Sequence, residues 1–153
     1  MLLIASTLAN ITESYPDLQF MSGDSFYWSP SKLEITYQPG DPDGLEHLLH
    51  EVSHALLKHT KYETDIALIQ MERAAWQYAK TTLAPMYDVQ ITDNLIQNDL
   101  DTYRDWLHAR STCPHCGANG IQTAKQEYQC LICHRPWYVN QALHCQLKRY
   151  KNK

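Results

Sequence analysis

Apolar residues at Ile4, Leu8, Ile11 and Tyr15 recur at three- and four-residue spacing and stop at Pro16, which predicts an amphipathic helix at the start of the chain. The pattern then changes. Phe26-Tyr27-Trp28 and Leu33-Glu34-Ile35-Thr36-Tyr37 flank Ser29-Pro30-Ser31-Lys32, and aromatic and β-branched runs around a turn predict a hairpin. Leu33, Ile35 and Tyr37 are expected on one face of the second strand, whose edge could receive an extended peptide. Pro39-Gly40-Asp41-Pro42-Asp43-Gly44 breaks the chain. Helical periodicity returns in three stretches: Leu45 to His59 with Asp43 as N-cap, Thr64 to Leu83 stopping at Pro85, and Asp93 to Ala109 with Ile96, Leu100, Tyr103 and Leu107 on one face. From Cys113 onward, short strands and turns replace helices.

Charge and cysteine divide the chain at the same place. Residues 1–110 hold 7 Lys/Arg against 16 Asp/Glu, whereas residues 111–153 hold 6 against 1. All five cysteines lie in the second segment. Two modules are therefore expected, 1–110 and 111–153, in an α+β chain. The apolar start is short, without a basic lead, and no apolar run approaches the roughly 20 residues that span a bilayer. A cytoplasmic protein without membrane partners is the expectation.

The chemistry concentrates in His50-Glu51-Val52-Ser53-His54. On a helix the two histidines stand one turn apart on the same side, so both imidazoles reach one Zn²⁺, and Glu51 beside them is placed to take a proton from metal-activated water. Leu45, Leu49, Val52 and Leu56 form a stripe nearly opposite the histidines, leaving one face for a core and one for ligands. A catalytic zinc usually has three protein ligands. A third histidine six residues after His54 would fall at position 60, which is Thr60. A carboxylate on the next helix is the alternative, and Glu72 is the best candidate: Asp65, Leu68, Ile69, Glu72, Trp76, Ala79 and Leu83 form one stripe, and a carboxylate within an apolar face needs a partner. Asp65 and Glu63 are rivals. Asp65 could instead orient a ligand histidine. His47 lies one turn before His50, either supporting the site, facing substrate or simply solvated. Tyr62, Tyr78, Tyr87 and His59 are candidate donors to a developing oxyanion.

Cys113-Pro114-His115-Cys116-Gly117 and Cys130-Leu131-Ile132-Cys133 repeat C-x₂-C across thirteen intervening residues, the arrangement of a closed structural Cys₄ zinc site. One catalytic and one structural zinc are thus expected. Cys145 is left over as a free thiol. Lys148, Arg149, Lys151 and Lys153 with Tyr128, Trp137, Tyr138 and Tyr150 make the tail a candidate for nucleic-acid binding or for docking to the acidic segment.

His50-Glu51-Val52-Ser53-His54, Glu72-Arg73-Ala74-Ala75-Trp76-Gln77-Tyr78-Ala79 and Leu83-Ala84-Pro85 together resemble the ImmA/IrrE-type metallopeptidases, minimal gluzincins whose pattern is H-E-x-x-H, then E-x-x-A-N-x-F-A and Leu-Met-Pro. Here Trp76 stands in place of Asn and Ala84 in place of Met. The resemblance implies a small zincin-like domain followed by a zinc ribbon, zinc held by His50, His54 and Glu72, and Glu51 as general base. It also implies hydrolysis of a peptide bond in a specific intracellular protein, often a transcriptional regulator. The pairing of H-E-x-x-H with a C-terminal ribbon, and Tyr128 before Cys130, also resembles SprT-like proteases that act on DNA-associated proteins. Those use a third histidine downstream, and none occurs between Thr60 and Leu107. A third expectation is a non-enzymatic adaptor whose ribbon binds a partner.

Overall fold

The computed structural model describes residues 2–141 and 147–152. Cys145 and Lys153 lie outside the described residues. The chain is α+β, and its contacts divide it into two compact units. The first comprises Met1–Thr60 and Met71–Ile96; the second comprises Lys61–Gln70 and Gln97–Lys153. Two long helices each contribute one end to either unit, which a change in composition along the chain does not reveal.

In the first unit, α1 (Leu2–Ser14) leads into β1 (Gln19–Ser22), β2 (Tyr27–Ser29) and β3 (Glu34–Tyr37). The expected hairpin is present, with Tyr27 opposite Thr36 and Trp28 opposite Ile35. Strand β1 adds parallel to the far side of β3, pairing Phe20 with Ile35. Strand β3 is thus the middle strand, and its edge is not free for a peptide. Leu33 does not extend it: at φ 52° it turns the chain and is exposed, while Ile35 is fully buried.

Helix α2 (Gly44–Leu56) packs on β2, β3 and α1. Leu48, Leu49 and Val52 fill its core side, but His50, Ser53 and His54 are buried as well, so the helix is enclosed on both faces. Asp43 occupies the N-cap position without a side-chain cap bond; its own N–H donates to the Asp41 carboxylate at 2.9 Å. The helix ends three residues before His59. Lys58 takes a left-handed conformation (φ 57°), its N–H donates to Ala55 O at 3.1 Å, and the His59 N–H donates to His54 O at 3.0 Å. These two bonds define a Schellman motif, with Lys58 where glycine is the usual residue.

Helix α3 (Asp65–Tyr78) starts on Thr64, whose Oγ1 accepts the Ala67 N–H at 3.1 Å. It does not stop before Pro85. Residues Ala79–Leu83 widen into a π-helical turn, and α4 (Ala84–Met86) carries the proline in its first turn. Proline has no N–H and its ring crowds the preceding turn, and the wider turn accommodates both. Trp76, Ala79 and Leu83 are fully buried, and the π-helical turn packs on α2.

Helix α5 (Asp93–Ser111), which lies in the second unit from Gln97 onward, continues two residues beyond expectation. Its apolar stripe ends on Arg110, a buried cation. Strands β4 (Gly120–Ala124), β5 (Glu127–Cys130), β6 (Pro136–Val139) and β7 (Arg149–Tyr150) form one antiparallel meander. Cys113, Tyr128, Cys130, Trp137 and Val139 form its core. Gly120 opposite Cys130 is required by close approach: a Cβ there would lie 2.3 Å from the Trp137 ring and 2.5 Å from Gln129 O.

Candidate metal centres

The i, i+4 spacing on α2 aligns His50 and His54, with ring centroids 4.6 Å apart and Nε2 atoms 3.1 Å apart. Glu72 enters from α3: its Oε2 lies 2.9 Å from His50 Nε2 and 3.3 Å from His54 Nε2. All three side chains are buried. Burial by itself would raise the Glu72 carboxyl. Hydrogen bonds from the two imidazoles, and their charge, override this and hold it down at about 2. The donor set is two neutral-capable nitrogens and one carboxylate. Tetrahedral coordination at about 2.0–2.1 Å asks for donor separations near 3.3–3.4 Å, so the observed 2.9–3.3 Å fits a small divalent cation with little adjustment.

The surrounding contacts hold this arrangement. Trp76, one turn beyond Glu72, lays its indole over the His50 ring at 4.2 Å and 26°. His59 Nδ1 lies 2.9 Å from His54 Nδ1. Trp28 Nε1 donates to the His59 carbonyl at 2.9 Å. Burial, and next the charge of His54, push the His59 imidazole down, which favours its neutral form. Glu51 is half-buried on α2, next to His50.

Other candidates from the sequence are placed elsewhere. Asp65 is buried in the second unit. It accepts from Arg110 Nε at 2.7 Å, from Arg110 Nη2 at 3.3 Å and from the Tyr128 hydroxyl. Both its carboxylate oxygens are engaged there. Tyr62 belongs to the same unit, where burial and then the Asp65 charge raise its hydroxyl. His47 is half-buried against Phe26 (5.2 Å) and edge-on to Trp76 (5.7 Å), with Nδ1 3.7 Å from Asp41. Tyr78 ends α3 near Tyr15, whose hydroxyl is raised by burial, then by Tyr87, then by Tyr78. Sequence periodicity gave no reason to assign Trp76 and His59 to the support of His50 and His54. Trp76 reads as an ordinary core position, and His59 as the last residue of the expected helix and a candidate oxyanion donor; the helix instead ends at Leu56, and the turn at Lys58 brings His59 to His54.

The second centre lies on two matching turns. Gly117 (φ 78°) follows Cys116, and His134 (φ 58°) follows Cys133, so each C-x₂-C turn closes through a left-handed residue. Cys113 Sγ accepts the His115 N–H, and Cys130 Sγ accepts those of Ile132 and Cys133, all at 3.4 Å. The Cys133 amide, against desolvation and with the Ile132 amide assisting, holds the Cys130 thiol down at about 6. Sulfur separations are 3.8 Å for Cys113 to Cys133 and 3.5 Å for Cys116 to Cys130. These are far beyond a disulfide bond and close to the roughly 3.8 Å that tetrahedral metal–thiolate bonds of about 2.3 Å require. All four sulfurs lie within 4.8 Å of one another, and the four cysteines can hold one metal ion. The set is closed, with thiolate donors on every side, as structural sites are.

Among the described residues no helix is long and apolar enough to cross a membrane. A scan against family models, a search of curated proteins and a search of solved structures each match nothing to this chain.

Proposed function

We propose that the chain is a zinc-dependent metallopeptidase of the minimal gluzincin kind, carrying a structural zinc ribbon. The observation that carries this reading is the convergence of His50, His54 and Glu72 on one point, with Glu51 on the same helix turn. That donor set supports the ImmA/IrrE-like reading over the SprT-like one, because a carboxylate from α3 stands where the latter needs a third histidine. Zinc held there supplies a Lewis acid that makes water acidic and polarises a carbonyl. Glu51 takes the proton from the attacking water and delivers it to the amine as the C–N bond breaks. Trp76 stacks on the His50 imidazole, and Glu72 supplies the one negative charge among the ligands. The substrate class is a peptide bond of an intracellular protein, transcriptional regulators being the first to test.

The ribbon's zinc has a structural task, since its thiolates leave no open position. Exposed Lys148 and Lys151 give the tail its basic character, whereas Arg149 Nη1 is engaged by Thr112 O at 2.8 Å. Salt-sensitive DNA binding would assign that surface to nucleic acid.

The test is cleavage of a proteome-derived peptide mixture by the zinc-loaded protein and by Glu51→Gln. The variant is expected to keep both zinc ions and its thermal stability while losing cleavage at least about a hundredfold. A variant as active as the parent, or a parent that cleaves nothing while holding both ions, refutes the peptidase reading.

A further inference from the structure

His54 must offer Nε2 to the ion, because Nε2 is the nitrogen that faces His50 Nε2 and the Glu72 carboxylate. A neutral imidazole has one N–H and one lone pair, so a ligating Nε2 puts the proton on Nδ1. A buried N–H needs an acceptor. The atom at hydrogen-bond distance is His59 Nδ1, at 2.9 Å, with the two rings inclined at 64°.

We propose that His59 is the positioning residue for the ligand His54: its Nδ1 accepts the His54 Nδ1–H and commits His54 Nε2 to the metal. His59 then carries its own proton on Nε2. The inference rests on the metal-binding part of the proposed function and not on the peptidase activity.

Two features of the chain build this contact. An uninterrupted helix would turn His59 by roughly 140° from His54, away from it. The Schellman motif at Lys58 reverses the chain instead and returns His59 over the last turn. The Trp28 indole then pins the His59 carbonyl from the sheet side. Unlike a carboxylate in this place, a neutral imidazole adds no charge, so a divalent ion with Glu72 keeps a net +1 and its full pull on a carbonyl oxygen.

The test uses the whole protein with His59→Phe, which keeps a ring but no acceptor, and His59→Asn, which keeps an acceptor near Nδ1. Zinc affinity of the histidine site is measured by competition with a chromogenic chelator. The thiolate site is read separately from its near-ultraviolet charge-transfer band in the cobalt form. His59→Phe should weaken zinc about 10- to 100-fold, and His59→Asn should stay within a few-fold of the parent. Long-range proton–nitrogen spectra of the zinc form should show His54 protonated at Nδ1 and His59 bare at Nδ1. Unchanged affinity in His59→Phe, an equal loss in both variants, or a proton on His59 Nδ1 overturns the assignment. A parent that binds zinc but cleaves no peptide leaves it standing and removes only the peptidase reading. A parent with no zinc beyond the cysteines overturns both.

Discussion

The indole of Trp76 lies stacked on the imidazole of His50, 4.2 Å between ring centroids and 26° from parallel. Trp76 is fully buried, and its helix also supplies Glu72 one turn earlier. One side chain thus fills the core between α3 and α2 and sets the plane of the His50 ring. Trp76→Ala should lower unfolding free energy by about 3–5 kcal/mol through the cavity it leaves. Trp76→Phe, which keeps a stacked ring, should lose less. Denaturant titration of both variants, alongside zinc affinity, checks that the two losses travel together.

Lys58 holds a left-handed backbone at φ 57°, a conformation that costs a side-chain-bearing residue about 1–2 kcal/mol. Lys58→Gly removes that cost but gives the unfolded chain more freedom, by about 0.4–1 kcal/mol. A net gain of about 0.5–1 kcal/mol is expected. A melting temperature that falls would show that the strain is already relieved by contacts of the lysine side chain.

Arg110 and Asp65 form a buried ion pair, with Nε to Oδ2 at 2.7 Å. Arg110 also donates to Asn140 O and lies over the Trp106 ring at 4.4 Å, while Trp137 Nε1 donates to the Arg110 carbonyl at 2.9 Å. Arg110→Met strands the Asp65 carboxylate and should cost about 3–5 kcal/mol. Adding Asp65→Leu should recover most of that, since an apolar pair replaces a desolvated charge. A double-mutant cycle on the metal-loaded protein reads the coupling.

Tyr128 is buried and donates its hydroxyl to Asp65. Burial first, then that hydrogen bond and the Asp65 charge, raise its hydroxyl far above the ordinary 10.0. A raised folded-state value means stability that is complete below the unfolded value and lost as pH climbs past it. The protein should therefore weaken above about pH 10, and Tyr128→Phe should flatten that part of the curve. Stability measured from pH 8 to 11 in the two proteins checks the sign.

Replacing Cys113 and Cys130 by serine should abolish metal binding at the thiolate site and unfold the β4–β7 sheet, since both residues belong to its core. The tryptophan emission of buried Trp137 should shift to the red. A variant that keeps a folded sheet without metal would show that Trp137, Tyr128 and Val139 suffice.

Much of this molecule was written locally. The H-E-x-x-H spacing, the paired C-x₂-C turns, the hairpin around Ser29–Lys32 and the helical stripe bearing Glu72 all depend on short-range periodicity, which backbone geometry converts directly into faces and turns. What lay beyond reach were the contacts made by residues distant in sequence. Strand β1 carries no alternation, and its pairing exists only because β3 offers a free side. Spacing alone leaves Asp65 as a rival ligand or a support for one, whereas the partners it takes, Arg110 and Tyr128, lie 45 and 63 residues away. The path through Pro85 depended on a wider helical turn packed on α2. His59 reaches His54 only because one left-handed residue reverses the chain. Spacing along a helix determined which groups could bind a metal. Tertiary packing decided which carboxylate entered the site and which side chains hold its ligands, because buried charges and N–H groups take whatever partner the folded chain brings within reach.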